Sequence, residues 1–225
     1  MNAIISYMDY NVKILLKDKL PMIWSILLPS LFLFMNKTNV LYVEDLRFWW
    51  CYIIVSSYIY GVGIHALVLK ESGCLKTIFS INKNSFYFFF GNLLTQIMYS
   101  FTCLFIFNLL AFMLFKFNIL ILLTYSLAMI LMLIPIGFLG FSITLLKKIH
   151  VNSLSTFVNI VFMLLFYCLS ANYSYNFLNP LYYLSNVIMI KKCLDISVYV
   201  FSSIVFVIIG IYSIKRFSVI PTERR

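Results

Sequence analysis

The sequence predicts an all-α integral membrane protein: an N-terminal amphipathic helix in the membrane interface, six transmembrane helices, and short re-entrant helices before the sixth. Three observations predict it. Of the 225 residues, 63% are hydrophobic and only 11% are charged, whereas a soluble domain carries about 25% charged residues. The mean hydropathy is +0.99. The apolar residues also fall into long runs separated by short polar stretches, the pattern of a chain that crosses a bilayer repeatedly. Residues 1–225 read as one transmembrane domain, with no room for an additional folded soluble one.

Residues 4–19 form the amphipathic helix. Ile4, Ile5, Met8, Val12, Leu15 and Leu16 fall on one side; Asp9, Lys13 and Lys17 lie on the other, four residues apart. Such a helix lies in the interface with its apolar face at the headgroup boundary. Pro21 breaks or restarts it, since proline donates no backbone hydrogen bond. The first span covers 20–36 with a kink at Pro29, near the lower length limit for crossing ~30 Å of hydrocarbon. Residues 37–47 are a polar outer loop. The second span, 48–69, opens with Trp49 and Trp50 at headgroup level, where amphipathic rings sit, and carries Gly61 and Gly63 near its inner half.

The segment 70–85 must emerge into water. It opens on Lys70-Glu71-Ser72-Gly73 and then places Leu75, Ile78 and Phe79 at spacings of three and four, which predicts a short surface helix. Ser85 is the expected N-cap of the third span, 86–115, a run long enough to require tilt or a break near Asn108. The fourth span, 119–146, is interrupted by Pro135, Gly137 and Gly140. A fifth covers 153–171. The stretch 172–196 is too polar for a span and too apolar for a free loop. It predicts short helices re-entering from outside, their irregular backbone sheltered by protein. The sixth span is 197–214.

Basic residues set the orientation. Lys13, Lys17, Lys19, Lys70, Lys76, Lys83, Lys147, Lys148, Lys215, Arg216, Arg224 and Arg225 fall on one side of this scheme. Only Lys37, Arg47, Lys116, Lys191 and Lys192 fall on the other. Twelve against five places both termini in the cytoplasm. The same rule explains the net charge of +10 without nucleic acid. No cleavable leader is expected, because charged residues precede the first apolar run.

The sequence offers little chemistry of its own. Cys51, Cys74, Cys103, Cys168 and Cys193 are scattered, so neither a disulfide framework nor a metal site is expected. No GxxxxGK[ST], HExxH or GxSxG occurs, and no enzymatic activity or bound cofactor is expected in this chain. None of the seven acids (Asp9, Asp18, Glu44, Asp45, Glu71, Asp195, Glu223) falls at mid-membrane depth, unlike the ionisable groups of ion-coupled carriers. His65, near the inner end of span two, reads as a satisfied or snorkelling histidine. Any driving energy is expected from a partner.

The layout resembles the ABC-2 family, the membrane permease subunits of ATP-driven exporters. Lys19-Leu20-Pro21 followed by Trp24 and Pro29 looks like that family's passage from connecting helix to first span. Lys70-Glu71-Ser72-Gly73 with Leu75-Lys76 looks like its Arg-Glu-x-Gly-Thr-Leu-Lys pattern, with Lys70 in place of arginine. Leu178-Asn179-Pro180-Leu181 matches its Leu-Asn-Pro-Leu stretch.

The resemblance implies a half-transporter in a bacterial cytoplasmic membrane: two permease copies, identical or related, each docked on a separately encoded ATPase that holds ATP and Mg. Lys70, Glu71, Ser72, Gly73, Leu75, Lys76, Ile78, Phe79 and Lys83 would carry the ATPase coupling, with Leu75, Ile78 and Phe79 in a groove on that partner and Lys76 and Lys83 framing it. Lys13, Lys17 and Lys19 would mark the connecting helix. Leu178, Asn179 and Pro180 would close the outer end of the pathway, or simply start a helix. The aromatic residues suit a hydrophobic or amphipathic cargo: a peptide, bacteriocin or toxin, a drug, or a lipid-linked molecule. The alternatives are a non-transporting immunity or assembly protein, and a haem-maturation permease of like architecture.

Overall fold

The computed structural model describes residues 2–17, 20–81, 83–146, 150–170, 176, 178–190 and 193–220. Among the described residues all regular structure is helical. In chain order the helices are α1 (Asn2–Lys17), α2 (Leu20–Met35), α3 (Arg47–Tyr58), α4 (His65–Glu71), α5 (Cys74–Ile81), α6 (Ser85–Phe115), α7 (Ile119–Met132), α8 (Ile134–Phe141), α9 (Val151–Ser170), α10 (Pro180–Ser185) and α11 (Cys193–Lys215). A π-helical segment, Ile59–Ile64, joins α3 to α4 without interrupting the rod. Five helical stretches are long and apolar enough to cross a membrane: Val43–Glu71, Ser85–Phe115, Ile119–Leu145, Val151–Leu169 and Cys193–Lys215; Ile23–Met35 is apolar but shorter. The chain is a helical membrane protein.

The Val43–Glu71 stretch is the centre of the bundle. Two-thirds (67%) of its most apolar window is buried inside the protein, against 6% for α11. Its polar side chains find partners in neighbouring helices. The Trp50 indole donates to Asn108 Oδ1 at 2.8 Å, Asn108 Nδ2 donates to Ser126 Oγ at 2.9 Å, Tyr58 donates to the Ile130 carbonyl at 2.9 Å, and the Ser57 and Ser100 hydroxyls pair. Inside a membrane, where apolar burial does not separate protein from lipid, such bonds and close packing hold helices together. The π segment lies against α8, with Gly63 on the backbone of Gly140.

Several sequence expectations are corrected here. Trp49 and Trp50, expected to be amphipathic rings at the membrane surface, are both buried inside the protein, Trp50 with its N–H on Asn108. Nor does Asn108 break the third span: α6 is continuous from Ser85 to Phe115. Its N-cap is Asn84, not Ser85, with Asn84 Oδ1 accepting from Phe86 N at 3.0 Å. The fourth span does break before Pro135, at Leu133. The last helix starts at Cys193, four residues earlier than expected, with Asp195 in its first turn, where a carboxylate is favoured by the helix dipole.

The elements gather at two ends. At one, the Val43–Leu46 turn and the start of α3 meet α10 and the following Asn186–Met189 turn. There Arg47 Nε donates to Asn186 Oδ1 at 2.9 Å and Phe48 stacks on Tyr182 at 6.5 Å. At the other end lie α1, α5, the start of α6, the end of α8 and the residues just past α11.

Candidate functional site

Gly73 makes the turn from α4 into α5. Its φ of +78° is a left-handed conformation that glycine adopts without penalty. The turn reverses the chain so that α5 lies across the end of the bundle. Its apolar residues face inward: Leu75 is fully buried and Phe79 is 6% exposed.

Beneath α5 lies a cluster of rings. Phe88 meets Tyr7 edge-on at 5.9 Å, Phe79 edge-on at 5.7 Å and Phe217 in a stack at 5.7 Å. Phe217 also meets Phe79 at 6.0 Å and Phe141 at 5.2 Å. One aromatic hub thereby joins α1, α5, α6, α8 and the segment after α11. Each such pair contributes roughly 0.5–1.5 kcal/mol beyond area burial.

This corrects the expected use of α5. Leu75 and Phe79 are not free to enter a partner's groove; the protein's own rings occupy their face, because the turn at Gly73 folds that face onto Phe88. The outward surface is instead Cys74, Lys76, Thr77 and Ser80, all exposed, with Ile78 at the edge. Lys70 is also internal. Its side chain and that of Glu71 are 3% and 6% exposed and lie 3.8 Å apart, and Lys70 Nζ donates to the Thr144 carbonyl at 3.4 Å. The pair thus ties α4 to the turn that follows α8. Ser72 closes the end of α4 through its hydroxyl, donated to the Leu69 carbonyl at 3.1 Å. Lys83 is exposed.

Helix α1 is seated on α6 as well. Tyr7 and Asn11 are its buried residues, while Ile5 is half exposed. The face in use is therefore Ile4, Tyr7, Met8 and Asn11, rotated from the all-apolar face that the sequence pattern predicts. Gly91 explains the rotation: a Cβ there would lie 2.5 Å from Tyr7 Cβ, so only glycine admits the helix. Asn11 Nδ2 then donates to Asn92 Oδ1 at 2.5 Å and Thr95 Oγ1 to the Met8 carbonyl at 3.5 Å. Burial pushes the Tyr7 phenol above its usual range. Lys13 pairs with Asp9 at 2.8 Å on the exposed side. The side chain of Lys17, and Lys19 altogether, lie outside the described residues.

At the opposite end, Asn179 is buried and acts as the N-cap of α10: its Oδ1 accepts from Leu181 N at 3.0 Å and its Nδ2 donates to the Leu165 carbonyl at 2.8 Å. Pro180 is the first residue of that helix and Leu178 is 72% exposed. The Asn-Pro pair is thus a helix start locked to α9. The rest of the expected re-entrant stretch, 172–175, 177 and 191–192, lies outside the described residues.

Residues that sequence reasoning missed are Tyr7, Asn11, Phe88, Asn92, Phe141 and Phe217. Phe217 left a local signal, an aromatic residue just beyond the basic stop Lys215-Arg216, and Asn11 and Asn92 another, as polar residues among apolar ones. No protein-family model, curated protein or solved structure matches the chain. Fold and site together define a class: a helical membrane protein whose surface helix is clamped on an aromatic hub.

Proposed function

We propose that this chain is the permease subunit of an ATP-driven exporter of the ABC-2 type. Two copies, identical or related, enclose the pathway, and a separately encoded ATPase docks on α5 of each. The observation that carries this reading is the two-sided build of α5. Its outer face is polar and accessible (Lys76, Thr77, Ser80), and its inner face is locked on Phe88 of α6 and Phe217, the latter ring packed in turn on Phe141 of α8. A displacement applied to the outer face meets no soft layer, because close-packed interiors pass displacement on rather than absorb it. It reaches α6 through Phe88, α8 through Phe141 and the end of α11 through Phe217.

In this reading α2 is the first of six crossings, both termini lie in the cytoplasm of a bacterial cell, and α1 rests on the inner surface. The α10 region lies outside. Polar but uncharged interior side chains and abundant aromatic residues suit a hydrophobic or amphipathic cargo, such as a peptide, a drug or a lipid-linked molecule.

The test uses the tagged chain purified from its native membrane and reconstituted with the ATPase that accompanies it. Permease-stimulated ATP hydrolysis should fall roughly tenfold for Thr77→Asp, a charge placed at a docked surface, with the fold intact. Full biological activity of the chain with no ATPase present would overturn the reading in favour of a non-transporting immunity or assembly protein.

A further inference from the structure

Beside α5, between its flank and the segment after α11, lies an open cavity of about 400 Å³ lined by Lys76, Phe79, Ser80, Lys83, Ser85, Phe217 and Val219. We infer that it holds the headgroup of an anionic phospholipid. Its floor is apolar, made of Phe79, Phe217 and Val219. Its rim carries two ammonium groups and two hydroxyls, and the described residues supply no ion pair for Lys76 or Lys83.

Among the described residues the acid nearest in sequence to the two lysines, Glu71, is held against Lys70 with its side chain almost fully buried. A cavity whose cationic rim has no ion-pair partner among the described residues and whose floor is aromatic, at the end of a transmembrane bundle, matches a molecule that is anionic at the top and apolar below. Basic pockets at the membrane surface recognise anionic headgroups in this way. The cavity lies on the Lys76–Ser80 flank of α5 and shares those two residues with the accessible face, centred on Thr77, that is assigned to the ATPase. The inference rests only on the membrane class of the protein, not on transport.

The experiment is native mass spectrometry of the full chain in detergent, titrated in separate arms with phosphatidylglycerol, phosphatidylcholine and inorganic phosphate. Wild type should retain one phosphatidylglycerol per chain in preference to phosphatidylcholine. Lys76→Ala with Lys83→Ala should weaken that retention about 30-fold, the combined effect of two surface cations. Lys76→Arg with Lys83→Arg should preserve it. Lys83→Ala alone, outside any helix, should give an intermediate loss and serves if the double variant does not fold. Retention unchanged in the alanine variants, or equal retention of phosphatidylcholine, overturns the inference. Displacement of the lipid by millimolar phosphate assigns the site to a free anion and overturns the lipid assignment. Because no ATPase is present, none of these outcomes bears on the coupling role of α5.

Discussion

Phe217→Ala tests whether the aromatic hub is a single mechanical unit. Phe217 lies beyond the last transmembrane helix, yet it touches Phe79, Phe88 and Phe141 at 5.2–6.0 Å between ring centres. It is only partly buried, so each of the three contacts is taken near the lower part of the range for aromatic pairs, and together they amount to about 2 kcal/mol. Removing them raises the local opening of everything that leans on Phe217 by about 30-fold. The assay is hydrogen exchange in detergent, followed at the amides of Cys74–Ile81 and of the first turns of α6. Exchange there should rise together with that of residues 216–220, although α5 is more than 130 residues away in sequence. Phe101→Ala, which removes an exposed ring with one neighbour at 6.4 Å, is the control and should leave α5 unchanged. An increase confined to 216–220 would refute the hub, since α5 would then be held by Leu75 and Phe88 without the tail.

Gly91→Val should lift α1 from α6, because its side chain would occupy space now held by Tyr7 and the Ile4 carbonyl; protease cleavage within residues 2–17 should accelerate while the other helices stay protected. Asn108→Leu removes two bonds to α7, from Asn108 Nδ2 to Ser126 Oγ and to the Leu122 carbonyl, of roughly 0.6 kcal/mol each, and strands the Trp50 N–H at a further cost of about 1–3 kcal/mol. Unfolding in mixed micelles should therefore show a loss of about 2–4 kcal/mol, and adding Trp50→Phe should recover part of it. Gly73→Ala meets open space but keeps a φ of +78°, so it should cost only about 1 kcal/mol of backbone strain, seen as faster exchange in α5 with no change in the transmembrane helices.

Composition made the fold class legible, because a chain this poor in charge has no soluble solution. Helix positions were legible wherever a polar stretch separated two apolar runs. The N-cap slipped from Ser85 to Asn84 because both residues cap well and only the backbone path separates them. Orientation of side chains was the illegible part. On a short surface helix an apolar face can seat on its own protein or enter a partner's groove equally well, so Leu75 and Phe79 gave no sign of which they do. In lipid a polar residue is better evidence, since its partner must be found inside the protein. Asn11, Asn92 and Asn108 each point to a helix contact in the structure. They lay in view in the sequence, but nothing local says which residue answers which.

The course of α4 gives the hub its consequence. α5 hangs from α4 through one glycine turn, and α4 continues upward into the π segment Ile59–Ile64. A π turn carries a widened backbone ring, with i→i+5 hydrogen bonds, inside an otherwise regular rod, and such turns are frequent at functional sites. Here it is packed by Gly63 on Gly140 of α8, a contact of backbone on backbone. α8 itself begins after the break at Leu133 and ends at Phe141 in the hub. A shift of α5 therefore reaches the same crossing by two routes: along α4 into the π segment, and through Phe217 and Phe141 into α8. The two helices that meet at that crossing each depart from regular α-helix within their membrane-length stretch, one at the π segment and one at the Leu133 break. Motion imposed at the surface is accordingly expected to be taken up at Gly63–Gly140 rather than in α6, whose 31 residues run without a break.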